Sequence, residues 1–286
     1  MVQLLDQDIM TREVLDWKGV HLFHAAISSC SQKARVYLNF KGINWTSHVV
    51  EMGANNESYY MGINPRGLVP TLVHDGDVHI ESNDIILHLE EHFPSPPMIP
   101  VAYRGSIKQL LRHEDDLHLQ LRTVTFRFLM PPTNKPPKSQ EELDAYASSG
   151  SGTVLGIADE AKAREIAFYR WFLEGGIPEK AVQAAVAQFK AEFMGLNETL
   201  RSQPFLLGDA VSVLDIAWLI YAHRLFICGY PIERLHPSLW EWYQRLSIDA
   251  RFKDEIAAPH EMASMRERLP AEGRYDRGTL EDVCAL

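Results

Sequence analysis

The chain has 286 residues, 46% hydrophobic and 23% charged, and no run approaching the ~20 apolar residues of a bilayer span, which predicts two modest folded domains and no membrane crossing. Its net charge is −10, with 28 basic residues spread along the chain, so it lacks the concentrated basic face of a nucleic-acid binder. The first twenty residues mix acids with apolar residues and lack the pattern of a secretory signal, and Cys30, Cys228 and Cys284 are odd in number and widely spaced, which together predict reduced thiols in a cytoplasmic setting.

Strand and helix signals alternate from residue 19 to 93. "GVHLFHA" is short, apolar and aromatic like a buried strand, and residues 31 to 41 place Ala34, Val36, Leu38 and Phe40 among charges before Gly42 stops a helix. "NWTSHVV" reads as a second strand. "LVPTLVHDGDVHI" reads as two strands joined by a tight turn at Asp75 and Gly76. From Ser82, the spacing of Ile85, Ile86, Leu89 and Phe93 gives one apolar helical face, closed by Pro94. The unit reads βαβ-x-ββα. "PSPPMIP" is a stiff connector, because each proline removes a donor and clashes with a preceding helical turn.

Beyond it the strand signal disappears. Residues 105 to 130, 153 to 174, 178 to 201, 212 to 227 and 237 to 247 carry helical periodicity, and breaker-rich stretches at 131 to 140 and 147 to 152 predict a mobile surface loop between the first two long helices. The predicted fold class is therefore α+β, with a sheet-containing domain over 19–94 and an all-α domain over 105–270.

Several short motifs carry chemistry, each with a structural alternative. "ISSCSQKAR" places Ser28, Ser29, Cys30 and Ser31 at a helix start, where free N–H groups lower a thiol pKa and where a serine also serves simply as a cap. Pro70 in "GLVPTL" suits a cis bond that would turn the N–H and C=O of Val69 outward, or an ordinary trans proline opening a strand. Glu81 and Ser82 stand at the mouth of the next helix, with Ser82 able to cap it and the helix end suited to a carboxylate. Ser212 and Asp215 have capping-box spacing before an apolar helix and are read as structural. His21, His24, His48, His74, His79 and His88 are read as single, solvated or hydrogen-bonded histidines, with no metal site.

Together these motifs resemble the cytosolic glutathione transferase family, whose chains pair a thioredoxin-like N-terminal domain with an all-helical C-terminal one. "SSCSQKARVYLNFKGI" is similar to the zeta-class signature, and "INPRGLVPTLVHDGDVHIESNDIILHLEEHFP" to a segment shared by zeta enzymes and bacterial lignin β-etherases. The loop "SSCSQK" also looks like that of bacterial tetrachlorohydroquinone reductive dehalogenase.

The resemblance implies that glutathione is the co-substrate and that Ser28 or Ser29 hydrogen-bonds its sulfur with Cys30 alongside. It implies that Val69 before cis Pro70 pairs with the cysteinyl backbone, and that Glu81 with Ser82 holds the γ-glutamyl end. Many relatives carry Gln or Lys where this chain has Leu68, so Arg66 or another base is expected at the glycyl carboxylate. Lys33 stands in place of the first signature Arg. An electrophile, expected to be small and aromatic, would meet the thiolate in an apolar cleft with Phe23, Ile27, His113, Asp116, His118 and Phe126 as lining candidates. β-Aryl ether cleavage is one form of this reaction. Alternatives are reductive dehalogenation or isomerisation using Cys30, and a non-catalytic binding protein on the same fold. A homodimer is the expected assembly.

Overall fold

The computed structural model describes residues 2–51, 57–129, 138–256 and 278–286. The chain divides into two compact units, Met1–Pro96 with Pro136–Gly175, and Pro97–Lys135 with Gly176–Leu286.

The first unit is built on a five-stranded sheet in the order β1-β5-β4-β2-β3, with β1 Val2–Gln3, β2 Val20–His24, β3 Thr46–Val49, β4 Thr71–His74 and β5 Asp77–Ile80. β2 and β3 run parallel across helix α1, Ser29–Lys41, while β4 and β5 form an antiparallel hairpin followed by α3, Ser82–His92. A short α2, Ser58–Ile63, occupies the position left open between β3 and β4. The hairpin turn is Asp75 at φ 52° and Gly76 at φ 94°, a left-handed pair. A Cβ on Gly76 would lie 2.2 Å from the Leu15 carbonyl oxygen, so only glycine fits there.

The leader before residue 19 belongs to this unit. Val2 pairs with Ile80, and Leu4, Ile9 and Val14 join Phe23, Tyr60, Ile63 and Val73 in one buried cluster. Trp17 stacks on Phe23 and on His48, at centroid distances of 5.8 and 4.9 Å.

The stretch after residue 138 departs from the expected loop. Residues 131–137 lie outside the described ones, but Ser139 and Glu142 form a capping box that opens helix α6, Gln140–Ser148. The helical reading of 153 to 174 is also corrected. A two-stranded hairpin, β6 Thr153–Val154 and β7 Ile157–Ala158, precedes helix α7, Glu160–Gly175. Its turn needs left-handed backbone at Leu155 and Gly156, a local feature that helical periodicity does not register. Asp8 anchors the hairpin by accepting from Thr153 Oγ1 at 2.7 Å and from the Gly156 N–H at 3.1 Å.

The second unit is helical: α4 Ile107–Asp115, α5 His118–Phe128, α8 Glu179–Leu200, α9 Val213–Ile227, α10 Ile232–Leu235 and α11 Pro237–Ser247, with a last short helix at Leu280–Cys284. The single helix expected over 105 to 130 is two helices, broken at Asp116 and Leu117. α9 is buried from Val213 to Phe226, and α8 turns Val182, Ala185, Val186, Phe189, Phe193 and Asn197 inward at helical spacing.

Ser212 and Asp215 close a capping box on α9 as their spacing predicts. The buried Asp215 carboxylate accepts further bonds from the Leu206 N–H and the Trp242 indole, both 2.9 Å, which fixes a turn and α11 to the same helix end. Asn197 caps α11 by accepting from the Ser238 and Leu239 N–H groups. No described helix is long and apolar enough to cross a membrane. Cys30, Cys228 and Cys284, all described, form no disulfide.

Candidate active site

Strand register brings three chain segments to one edge of the first unit's sheet. Phe23 on β2 lies opposite Thr71 on β4, which lies opposite Ile80 on β5. The neighbouring strands are antiparallel, so the segment leaving β2, the segment entering β4 and the segment leaving β5 emerge on the same side. Those segments carry Ser28 to Cys30, Val69 with Pro70, and Glu81 with Ser82. A hydrogen bond of 3.3 Å from Lys33 Nζ to Asn83 Oδ1 ties the first turn of α3 to α1.

The serine run divides its duties. Ser28 is the N-cap of α1, its hydroxyl oxygen accepting from the Ser31 N–H at 3.2 Å. Its own proton remains a donor. Ser31 is buried and its hydroxyl accepts from the Ala25 N–H at 3.3 Å. Ser29 and Cys30 occupy the first turn, half-buried. Arg35 braces the loop before them by donating to the Ala25 and Ala26 carbonyls, each at 3.0 Å.

The Val69–Pro70 bond is cis. The loop before it is held from beneath, because the Leu68 carbonyl accepts from Tyr60 Oη at 2.6 Å and Asn64 Nδ2 at 2.8 Å, while Asn64 Oδ1 accepts from the Arg66 N–H at 3.0 Å.

Two expectations at the third segment need correction. Ser82 does not cap α3: it is the first helical residue, and Glu81 stands at the N-cap with φ 69° and no side-chain cap bond. A non-glycine residue at that φ is held there by its surroundings. Arg66, expected to meet a ligand carboxylate, instead faces two protein carboxylates. Its Nε and Nη2 donate to both oxygens of Asp159 at 2.9 Å each, and its Nη1 pairs with Glu81 Oε1. The Tyr146 hydroxyl closes the arrangement by donating to the Arg66 carbonyl.

Asp159 is the residue that sequence reasoning missed. Its carboxylate also accepts from the Ala161 and Lys162 N–H groups, so it opens α7 while clamping Arg66. Burial pushes its pKa up, but the hydrogen bond and charge of Arg66 outweigh this and hold it below the usual carboxylate value. An acid ahead of a helix start was visible in "GIADEAKAR"; its partner 93 residues away was not.

The electrophile candidates fall in different settings. Phe23 is a correction: it is only 4% exposed and stacked in the sheet's core, so it lines no surface. Ile27 is 58% exposed, in the loop before α1. The others belong to the helical unit. There His113 pairs with Glu192 at 2.8 Å, Asp116 is the exposed C-cap of α4, His118 Nδ1 meets Tyr221 Oη at 3.1 Å, and Phe126 is half-buried on α5.

The histidines are not all solitary. His88 and His92 share one face of α3 at a spacing of four, and His74 at the end of β4 joins them, with one potential ligand atom from each lying within 4.8 Å of the others. Burial lowers the pKa of His74, takes His88 down to about 3 and takes His79 beside it to about 4.

Comparison with known proteins places this architecture. The family model for the N-terminal domain of glutathione S-transferase matches residues 27–92, and that for its C-terminal domain matches residues 179–245. The chain belongs to the glutathione S-transferase family. It is 33% identical to glutathione S-transferase Z2 of Arabidopsis thaliana over 110 residues, 37% of this chain and 45% of the plant protein, so the match spans less than half of that relative. It is 24% identical over 250 residues to tetrachloro-p-hydroquinone reductive dehalogenase of Sphingobium chlorophenolicum, covering 84% of this chain and 97% of that one. The crystal structure of the β-etherase LigF from Sphingobium sp. strain SYK-6 shares the fold, with a TM-score of 0.69 at 22% identity over 83% of this chain and 98% of the other.

Proposed function

We propose that this chain is a glutathione transferase that ionises the glutathione thiol at the N-terminus of α1 and directs it at a small, aromatic electrophile. The observation that carries the reading is the strand register Phe23, Thr71, Ile80, which gathers the serine run, the Val69–Pro70 turn and the amino end of α3 on one sheet edge.

The chemistry follows from these groups. Ser28 spends its oxygen on the helix cap and keeps its proton for the sulfur, with Ser29 as the neighbouring donor. A donated hydrogen bond and the positive end of the α1 dipole favour the thiolate, so its pKa falls and the thiol proton passes to solvent. The Val69 backbone fits the cysteinyl amide, and the α3 N-terminus, with no side-chain cap, fits the α-carboxylate of the γ-glutamyl group. Glu81, steadied by Arg66, has further lone pairs for the ammonium. Arg66 is a brace and Leu68 is apolar, so neither holds the glycyl carboxylate. The thiolate then forms a bond to an electron-poor carbon, and the leaving oxygen or halide departs with its electron pair.

β-Aryl ether cleavage is the form favoured by the fold shared with the β-etherase. Cys30, in the same first turn as Ser29, favours a second form. Its thiolate attacks the sulfur of a glutathionyl aromatic, forming a Cys30–glutathione disulfide while the aromatic carbon leaves with the bonding pair and takes a proton. A second glutathione thiolate then displaces Cys30, giving glutathione disulfide. The protein acts in the cytoplasm as a homodimer.

Ultraviolet difference spectra of the glutathione complex test the proposal. A thiolate band should appear well below the pH of the free thiol, and should move to higher pH in Ser28→Ala or Ser29→Ala. No band in the wild type, or an identical titration in both variants, defeats the assignment. Aryl ethers and haloaromatics as substrates, with Cys30→Ala compared, separate the two forms.

A further inference from the structure

Three imidazoles converge at the edge of the first unit opposite to the glutathione segments. His74 closes β4, where it lies opposite Val20 and Asp77, whereas the serine, proline and glutamate segments leave the sheet beyond Phe23, Thr71 and Ile80. His88 and His92 come from the last turns of α3, whose first turn carries Ser82. The two ends of this helix therefore serve different places.

The geometry resembles the approach of ligands to a tetrahedral ion. His74 Nδ1 and His88 Nε2 stand 2.9 Å apart, joined by a single shared proton. Ligand nitrogens at about 2.0 Å from a tetrahedral Zn2+ are roughly 3.3 Å from one another, so a small opening admits the ion. His92 Nδ1 lies 2.9 Å from the His88 carbonyl, which can only accept, so this nitrogen carries the proton and Nε2 presents its lone pair.

The surroundings fit the same role. The Asp75 carboxylate lies 3.8 Å from His74 Nε2, where its charge favours a proton on that nitrogen and so a lone pair on Nδ1. Carboxylates behind metal-bound imidazoles orient the ring in this way. On the inner side, His79 packs 3.7 Å from the His88 ring, centroid to centroid, and is 2% exposed with neither ring nitrogen hydrogen-bonded. Buried polar atoms without partners are rare and costly. His92 is exposed, which gives an ion a path in and leaves a solvent-side position for a fourth ligand.

We propose that His74, His88 and His92 form a binding site for a divalent first-row transition ion of the zinc type, at the sheet edge remote from the glutathione segments. Imidazole without thiolate suits borderline ions and disfavours magnesium and calcium, which need oxygen ligands. Linking the β4–β5 hairpin to the carboxyl end of α3, the ion would brace the sheet and not enter the transferase chemistry.

The test uses the untagged full chain, stripped with a chelator, with Co2+ as the optical probe and Zn2+ as the competitor. Expected are saturable uptake of one Co2+ per chain, visible ligand-field bands of a tetrahedral or five-coordinate nitrogen site, and their loss on adding Zn2+. His92→Ala, an exposed position, and His74→Ala should each weaken Co2+ binding at least tenfold, whereas His113→Ala should not. The glutathione thiolate titration should be the same in wild type and His92→Ala, so failure here is distinct from failure of the transferase reading. Absence of saturable uptake, or equal affinity in wild type and His92→Ala, overturns the site.

Discussion

Arg66 and Asp159 face each other as a two-pronged pair, with Nε and Nη2 each 2.9 Å from a carboxylate oxygen. Asp159 is 5% exposed at its side chain and Arg66 12%, so neither charge is well solvated without the other. The pair joins the loop before Val69 to the start of α7. Asp159→Ala should cost about 2 to 4 kcal/mol, since it leaves the guanidinium with Glu81 alone and uncaps a helix. The urea midpoint is the measurement. Glu81→Gln should cost less, because Asp159 remains.

The same pair makes the protein acid-sensitive. The folded-state pKa of Asp159 lies below its ordinary value of 3.8, so its stabilising contribution is complete above about pH 4 and is lost as pH falls through the folded value. Asp159→Asn should flatten the acid limb of the stability profile below about pH 4.

Asn64 is 1% exposed and satisfies the Leu68 carbonyl, the Arg66 N–H and Thr71 Oγ1 at once. Asn64→Ala should loosen the Val69 loop and raise the glutathione KM about tenfold, equivalent to about 1.4 kcal/mol, while the pH dependence set at Ser28 and Ser29 stays in place. Steady-state kinetics against glutathione, with a pH profile, distinguishes the two effects.

In the helical unit, the Asp215 carboxylate accepts from the Ser212 N–H and hydroxyl, the Leu206 N–H and the Trp242 indole. Asp215→Ala leaves buried donors unanswered and removes one half of the α9 capping box. A loss of about 3 to 5 kcal/mol is expected in equilibrium unfolding.

Burial lowers the pKa of His223 to about 3 and that of His236 to about 4. Both stay neutral in the fold at a pH where the unfolded chain binds protons. Their contribution is complete above about pH 6.5 and fades as pH falls toward the folded values, each adding a slope of about 1.4 kcal/mol per pH unit. His223→Phe should reduce the slope between about pH 6 and 4 by the equivalent of one proton.

Local chemistry in the chain determined much of this protein. The Asp75-Gly76 turn, the alternation of β2 with α1, the Ser212 capping box and the serine cap at Ser28 all arise between residues close in sequence, where backbone geometry and periodicity suffice. Tertiary structure decided the rest, because it depends on residues distant in the chain. Asp159 reaches back to Arg66 and turns an expected ligand base into a brace. The leader enters the core through Val2 and Val14, contacts that no local signal announces. His74 meets His88 and His92 only when the β4–β5 hairpin lies against α3; a reading of single histidines overlooks the four-residue spacing of His88 and His92, and only folding brought His74 to them.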